Sequence, residues 1–137
     1  MGGAELRLDI QNTGLLDGSF DVVVCNHVLE HVDDFRVALA EVRRVLRSAG
    51  FLICSFPMNP SVELLDEDPA VSAGVRLRRF GQDDHLRVFG IGVRRFLEEA
   101  GFEVEEIRGE GCPEEVAPVV GPADYDANVL FRCVRMG

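Results

Sequence analysis

Two histidines and a glutamate lie close together in the first third of the chain, as His27, Glu30 and His31. Spacings of three and four residues put side chains on one face of a helical turn, so these groups can meet. An imidazole titrates near neutral pH, which makes His27 and His31 candidate general bases. The set could also bind a metal ion, with His85 as a fourth ligand. We expect no metal, because a hydrogen-bonded loop role for His31 is the simpler interpretation.

The residues around this cluster have the pattern of a strand–helix–strand unit that spans residues 20–57. Phe20 to Cys25 is a continuous apolar run, which is typical of a strand buried on both faces of a sheet. Leu52 to Phe56 gives the second strand. Such crossovers are right-handed with parallel strands, and ligands bind beyond the carboxyl ends of the strands. The candidate site therefore includes Cys25, Asn26 and His27.

The sequence between these strands contains signals for the start, the buried face and the end of a helix. Asp33 or Asp34 can cap the free amide groups of the first turn, and Gly50 can end the helix in a left-handed conformation. The apolar stripe that would face the sheet is made of Phe35, Ala38, Leu39, Val42, Val45 and Leu46.

We expect a single partial domain over residues 1–137. Residues 1–19 would form a strand, from Leu6 to Ile10, followed by a connection. Residues 58–92 lack a regular spacing of apolar residues and would form a lid or substrate loop, with one helical turn at Val62 to Leu65. Residues 93–137 would hold a helix ended by Gly101 and antiparallel strands. These closing strands are predicted at Phe102 to Ile107 and Asn128 to Val134, on either side of a loop from Gly109 to Asp126.

Composition narrows the classes of function. Fourteen basic and 24 acidic residues give a net charge of -10, which disfavours nucleic acid and anionic membranes as partners. No lysine occurs, which excludes lysine Schiff-base chemistry within these residues. The four cysteines form no CxxC pair, so we expect free thiols, with Cys25 as a small buried side chain. No run has the length of a membrane span or a signal peptide, and we expect a cytoplasmic protein.

Several passages resemble the C-terminal two-thirds of a class I S-adenosylmethionine-dependent methyltransferase, over roughly Leu8 to Val134. They are DGSFDVVVCNHVLEHVDD, RVLRSAG, FLICSFP and FLEEAGF. The resemblance implies an α/β fold: a truncated Rossmann-like sheet, mostly parallel with an antiparallel C-terminal strand and helices on both faces. It also implies that Asp9 and Ile10 contact the adenine of the cofactor. Cys25, Asn26 and His27 would lie beside its methionine part.

The sequence departs from that family in the cofactor site. It contains no GxGxG loop and no matching carboxylate for the ribose hydroxyls. Loss of these contacts could remove on the order of 3 to 6 kcal/mol, about a hundred- to ten-thousandfold in affinity. We therefore expect S-adenosylmethionine to bind the lone chain weakly or not at all, and whether the chain is an enzyme stays open.

The family pattern also leaves the strand at Phe20 to Cys25 with an open edge, because the family's first strand normally lies beside it. We expect a second copy, a partner chain or a rearranged N-terminus to cover this edge. Gln82, Asp83 and His85 form the polar cluster expected to face a small-molecule substrate.

The sequence is similar to the metal-binding motifs of two classes of protein. HVLEH fits the HxxEH motif of inverted zinc proteases, but its surroundings belong to another fold. Small-RNA 2′-O-methyltransferases place an acid, an acid–histidine pair and a distant histidine at the matching loop. Here His27 replaces the first acid. The metal alternative therefore comprises His27, Glu30, His31 and His85.

The leading interpretation is a methyltransferase-family protein related to small-molecule methylation. The alternative is a non-catalytic partner or stabilising subunit that completes its sheet by oligomerisation. A cofactor-independent isomerase or cyclase has no positive support in the sequence.

Overall fold

The computed structural model describes residues 5–108 and 129–137, and the sheet at its centre has four strands. In chain order the elements are β1 (Phe20–Asn26), α1 (Phe35–Val45), β2 (Leu46–Ser55), β3 (Leu65–Glu67), α2 (Ala73–Phe80), β4 (Arg87–Phe89), α3 (Arg94–Glu99), β5 (Phe102–Arg108) and β6 (Val129–Arg135). The strands β3 and β4 form a separate antiparallel pair.

The central sheet has the strand order β1-β2-β6-β5. β1 and β2 are parallel, with Val22 opposite Phe51 and Asn26 opposite Ser55. β6 is antiparallel to both of its neighbours, β2 and β5. Three strands therefore point one way and the C-terminal strand points the other way, which confirms the predicted mixed sheet.

Helix α1 matches its sequence pattern at the start and along its buried face. The side chain of Asp34 caps it by accepting hydrogen bonds from the amides of Arg36 and Val37. The side chains buried against the sheet are Phe35, Ala38, Leu39, Val42 and Val45. The predicted end at Gly50 is wrong. β2 begins at Leu46, and Gly50 lies within it so close to neighbouring carbonyls that an added Cβ would meet the oxygens of Asp21 and Arg47 at 2.9 Å.

The prediction that Phe20 to Cys25 is buried on both faces is wrong. β1 is the end strand of the sheet; Val22 is 41% and Val24 is 66% exposed, whereas Cys25 is buried. Alternate side chains point to opposite faces, and only the face of Cys25 joins the core to which α1 and α3 contribute. Among the described residues no helix covers Val22 and Val24. Helices were expected on both faces of the sheet, but those described pack on one face.

The predicted strand from Leu6 to Ile10 is also wrong. Only an isolated bridge joins Asp9 to Asn12, and Leu6 is 66% exposed. The connection to β1 is too short for a parallel crossover, which needs about a dozen residues. The segment is instead anchored by Thr13, whose amide and hydroxyl donate to Glu41 on α1 at 2.8 and 2.6 Å.

Residues 58–92 contain more regular structure than predicted, since they form β3, α2 and β4. The segment expected as a helical turn closes with the Val62 amide donating to the Asn59 carbonyl, and β3 begins at Leu65. α2 ends at Gly81, which has a φ of 88°. That glycine was the available signal for a helix, but the apolar residues before it lack a clean helical period.

The C-terminal elements agree with prediction. α3 is followed by Gly101, whose φ of 93° turns the chain into β5, and β6 closes the sheet. Cys25, Cys54 and Cys133 are buried free thiols, as expected. Cys112 and the predicted Gly109–Asp126 loop lie outside the described residues. In the part of the chain that the structure describes, no helix has the length and apolar character to span a membrane.

Candidate functional site

The site is built on the turn that follows β1. His27 has a φ of 52°, and its amide donates to the carbonyl of Ser55 at 2.8 Å. The amide of His31 then donates to the carbonyl of Val28 at 3.0 Å. The chain therefore makes a tight turn instead of a helix, and that turn still brings His27, Glu30 and His31 together.

Glu30 is the centre of this cluster and its side chain is fully buried. Its Oε1 lies 3.3 Å from Nδ1 of His27 and 3.8 Å from Nε2 of His31. Neither carboxylate oxygen accepts a hydrogen bond from any described residue. A buried carboxylate without such bonds is energetically unfavourable, and such groups are concentrated at functional sites.

His85 reaches the same place from a distant part of the chain. The amide of Leu86 donates to the carbonyl of Glu30 at 2.9 Å, which docks this segment on the turn. His85 is buried, and its ring meets that of His31 edge-on with centroids 4.7 Å apart. Its Nδ1 lies 3.3 Å from the carbonyl of Phe80. Burial lowers the pKa of His85 below its usual value, although Glu30 opposes that shift.

Asp84 is a second acid near the cluster, outside it on the exposed side. Its Oδ2 lies 3.3 Å from Nδ1 of His31, while Nε2 of the same ring is the atom near Glu30. Asp84 can therefore fix the orientation and tautomer of His31.

Arg87 was missed by sequence reasoning, and it holds the turn in place. It is 2% exposed, and its guanidinium donates to the carbonyls of Leu29 at 2.8 Å, Val32 at 2.5 Å and Asp33 at 2.9 Å. A fourth bond, at 2.8 Å, goes to Glu67 on β3. No local signal identifies this arginine, because its partners lie far away in sequence.

The other predicted site residues are spread over the molecule. Asn26 is exposed at the end of β1, where its Oδ1 accepts a hydrogen bond from the Ser55 hydroxyl at 3.2 Å, and Cys25 is buried beneath it. Asp9 is exposed and accepts from the amide of Gln11 at 2.8 Å, and Ile10 packs against the core.

The predicted substrate-facing residues separate from one another. Gln82 and Asp83 are exposed, whereas His85 is buried beside Glu30. The structure thus brings the buried Glu30, His31 and His85 into one site with His27 at its edge.

The residues at this edge of the sheet fit part of an S-adenosylmethionine site. Asn26 and His27 lie at the carboxyl end of β1, where parallel strands bind ligands, and both present polar atoms. Asp9 keeps a carboxylate available, although one of its oxygens already accepts a bond from its own turn. The 137 residues contain no glycine-rich loop.

Comparisons with known proteins agree with this fold. A model of a methyltransferase domain matches residues 3–54. The chain is 38% identical over 101 residues to an uncharacterized 37.1 kDa protein in transposon TN4556 from Streptomyces fradiae, covering 72% of this chain and 29% of that protein. It is 28% identical over 119 residues to a ubiquinone biosynthesis O-methyltransferase from Thiobacillus denitrificans, covering 86% of this chain and 51% of that enzyme.

A solved methyltransferase structure has the same fold. It is an S-adenosylmethionine-dependent methyltransferase from Thermotoga maritima, with a TM-score of 0.58, 23% identity, and coverage of 96% of this chain and 63% of that one. The sequence matches support the class I S-adenosylmethionine-dependent methyltransferase family, and the structure shares the fold of such an enzyme. It spans 29% and 51% of the two sequence relatives, so it corresponds to part of their length.

Proposed function

We propose that this chain takes part in S-adenosylmethionine-dependent methylation of a small molecule. The observation that carries this proposal is the position of Asn26 and His27 at the carboxyl end of β1, beside the buried Glu30 carboxylate. The relative from Thiobacillus denitrificans is named for methylation in ubiquinone biosynthesis, which supports a small-molecule acceptor. The net charge of -10 supports the same choice over nucleic acid.

The cofactor would supply an electrophilic methyl group, and the residues of this chain would bind and orient it. Cys25, Asn26 and His27 would contact its methionine part, and Asp9 with Ile10 would contact its adenine. His27 or His31 would accept a proton from the methyl acceptor. His27 is the more accessible of the two candidate bases, with 55% of its side chain exposed against 33% for His31.

Cofactor binding by the 137-residue protein is expected to be weak, because no glycine-rich loop is present in these residues. Isothermal titration with S-adenosylhomocysteine tests this expectation. Measurable binding at micromolar concentrations would favour an enzyme, and no heat at millimolar concentrations would count against the proposal. Asn26→Ala should weaken binding roughly 2- to 12-fold, the equivalent of one lost hydrogen bond. Gln82→Ala, on the predicted substrate side, should leave it unchanged.

A second candidate is a partner or stabilising subunit that completes its sheet with another chain. The open edge of β1 favours this role, because β1 is an end strand of the described sheet and its Val22 and Val24 are 41% and 66% exposed. An apolar sheet edge of this kind promotes association with another strand. We also infer a reducing compartment such as the cytoplasm, which is supported by the free buried thiols Cys25, Cys54 and Cys133.

Light scattering after size exclusion tests the partner role. The wild type should elute as a dimer or larger species, and Val24→Lys should shift it toward the monomer without unfolding it. Val37→Lys is the control, since Val37 is also exposed, at 46%, but lies on α1 away from the sheet edge. A monomeric wild type would exclude self-association and leave a different partner chain or a rearranged N-terminus.

A further inference from the structure

We propose that Glu30, His31 and His85 bind a divalent transition-metal ion, with Zn²⁺ as the best match. One ligand atom from each of these residues lies within 4.8 Å of the other two. The proposal goes beyond methyl transfer, and metal binding would stand whether or not the chain binds S-adenosylmethionine. It also replaces our expectation from the sequence, which was that the protein binds no metal.

The buried carboxylate is the first part of the case. Glu30 has no exposed surface, and neither of its oxygens accepts a hydrogen bond from the described residues. A buried charge is retained when it is paired or when it coordinates a metal. A divalent cation would supply the opposite charge, and it would also coordinate the carboxylate oxygens whose lone pairs are otherwise unused.

The two imidazoles are the second part, because each has one ring nitrogen already anchored. Nδ1 of His31 faces Asp84 at 3.3 Å, and Nδ1 of His85 faces the carbonyl of Phe80 at 3.3 Å. If each Nδ1 carries the proton, both Nε2 atoms keep a free lone pair. Metal-binding histidines usually donate their second N–H to a carboxylate or a carbonyl in this way.

The ligand atoms lie slightly further apart than in a zinc-bound site, within 4.8 Å of one another. Two ligands that each bind zinc at about 2.1 Å are about 3.4 Å apart in a tetrahedral site. Glu30 Oε1 and His31 Nε2 are 3.8 Å apart, so they need to approach by a few tenths of an ångström. Arg87 holds the backbone of this turn through three carbonyls, so the remaining approach would come from the side chains.

The ligand types select the class of metal. Two imidazoles and one carboxylate suit Zn²⁺ and its neighbours, whereas Mg²⁺ and Ca²⁺ prefer oxygen ligands. Three protein ligands also leave one tetrahedral position open. That position would take an oxygen ligand, such as water or a substrate hydroxyl. His27 has its Nδ1 3.3 Å from the Glu30 carboxylate, and with His31 on the metal it would be the one remaining candidate base of the two.

The test is a zinc titration of the untagged, metal-free protein against a chromophoric chelator. We expect one equivalent of zinc and a rise in Tm on binding. Glu30→Gln preserves side-chain shape and should weaken zinc binding by more than the roughly 10- to 100-fold that loss of an outer-shell partner causes. His85→Gln should do the same. Glu103→Gln, an exposed carboxylate on β5, is the matched control and should leave the affinity unchanged.

Cobalt substitution separates this site from binding by cysteine. Co²⁺ held by Glu30, His31 and His85 should show ligand-field absorption without a thiolate-to-cobalt charge-transfer band. The proposal is overturned if no stoichiometric zinc binds, if Glu30→Gln and His85→Gln both bind as the wild type does, or if the thiolate band appears. Preference for Mg²⁺ over Zn²⁺ would also contradict it, since the ligand set would then differ.

Discussion

Nδ1 of His31 lies 3.3 Å from a carboxylate oxygen of Asp84, while Nε2 of the same ring lies 3.8 Å from Glu30. One imidazole thus links an exposed acid to a buried one. Because the two ring nitrogens have different partners, the outer acid can set the tautomer and orientation that the inner cluster uses.

Replacement of Asp84 by alanine should weaken zinc binding about 10- to 100-fold without abolishing it, because the ligand atoms remain but His31 loses its orienting partner. Chelator competition measures the change. Asp83→Ala is the neighbouring control, since its side chain is exposed and its backbone carbonyl, which the substitution keeps, accepts the hydrogen bond from Arg76. Equal affinities for Asp84→Ala and the wild type would show that Asp84 has no such role.

Replacement of Arg87 by methionine should lower the free energy of unfolding by about 3 to 5 kcal/mol, the range for breaking a buried ion pair. It would leave the carbonyls of the 29–33 turn without their donor and Glu67 without its partner. Urea unfolding measures the loss. Arg79→Met is the control: its pairs with Asp66 and Asp68 are partly exposed and screened by solvent, so it should lose much less stability. Similar losses for both variants would contradict the buried role of Arg87.

Stability should depend on acid pH through Glu41. Hydrogen bonds from Arg44, and then from Thr13, lower the pKa of this carboxyl from 4.5 to about 2. A lowered pKa stabilises the fold above the unfolded-state value, and this contribution is lost as pH falls from 4.5 toward 2. The difference in unfolding free energy between wild type and Glu41→Gln should therefore be constant near neutral pH and shrink in acid.

Urea unfolding at a series of pH values from neutral down to about pH 3 measures that difference. Glu103→Gln corrects for the general effect of removing one negative charge from an exposed position. A gap that stays the same at every pH would show that Glu41 does not titrate differently in the two states.

The thiol of Cys25 should be unreactive in the folded protein. Burial, followed by the negative charge of Glu30, raises its pKa from 9.0 to about 12. Thiolate is the reacting form, so alkylation by iodoacetamide at about pH 8 should be much slower in the native protein than in urea. Mass spectrometry of the Cys25 peptide measures both rates. Equal rates would contradict the buried position and the role of a packing side chain.

The sequence alone predicted the elements whose signals are local. Asp34 caps α1 and the stripe from Phe35 to Val45 is buried, because a helix start and a helical period depend on neighbours within a few residues. The mixed order of the sheet followed from the family resemblance. The predicted helix end at Gly50 was wrong because β2 follows α1 directly. The pairing of β2 with β1, which is not a local signal, decides where the strand begins.

The exposure of β1 could not be read from its apolar run. Val22 and Val24 have the composition of a buried strand, but burial depends on which strands and helices lie alongside. In the described chain β1 is an end strand, so the same side chains are exposed. The helix α2 was missed for a related reason: its only well-buried residue is Phe80, which leaves little periodicity to detect.

The sequence by itself determined that His27, Glu30 and His31 meet, because one turn of backbone spans their spacing. Only the tertiary structure decided that His85 joins them, that Glu30 is buried without a hydrogen bond, and that Arg87 holds the turn. These contacts join segments more than fifty residues apart, and no local propensity encodes such distances. They arise where the packing of β4 against the turn after β1 brings the two segments together.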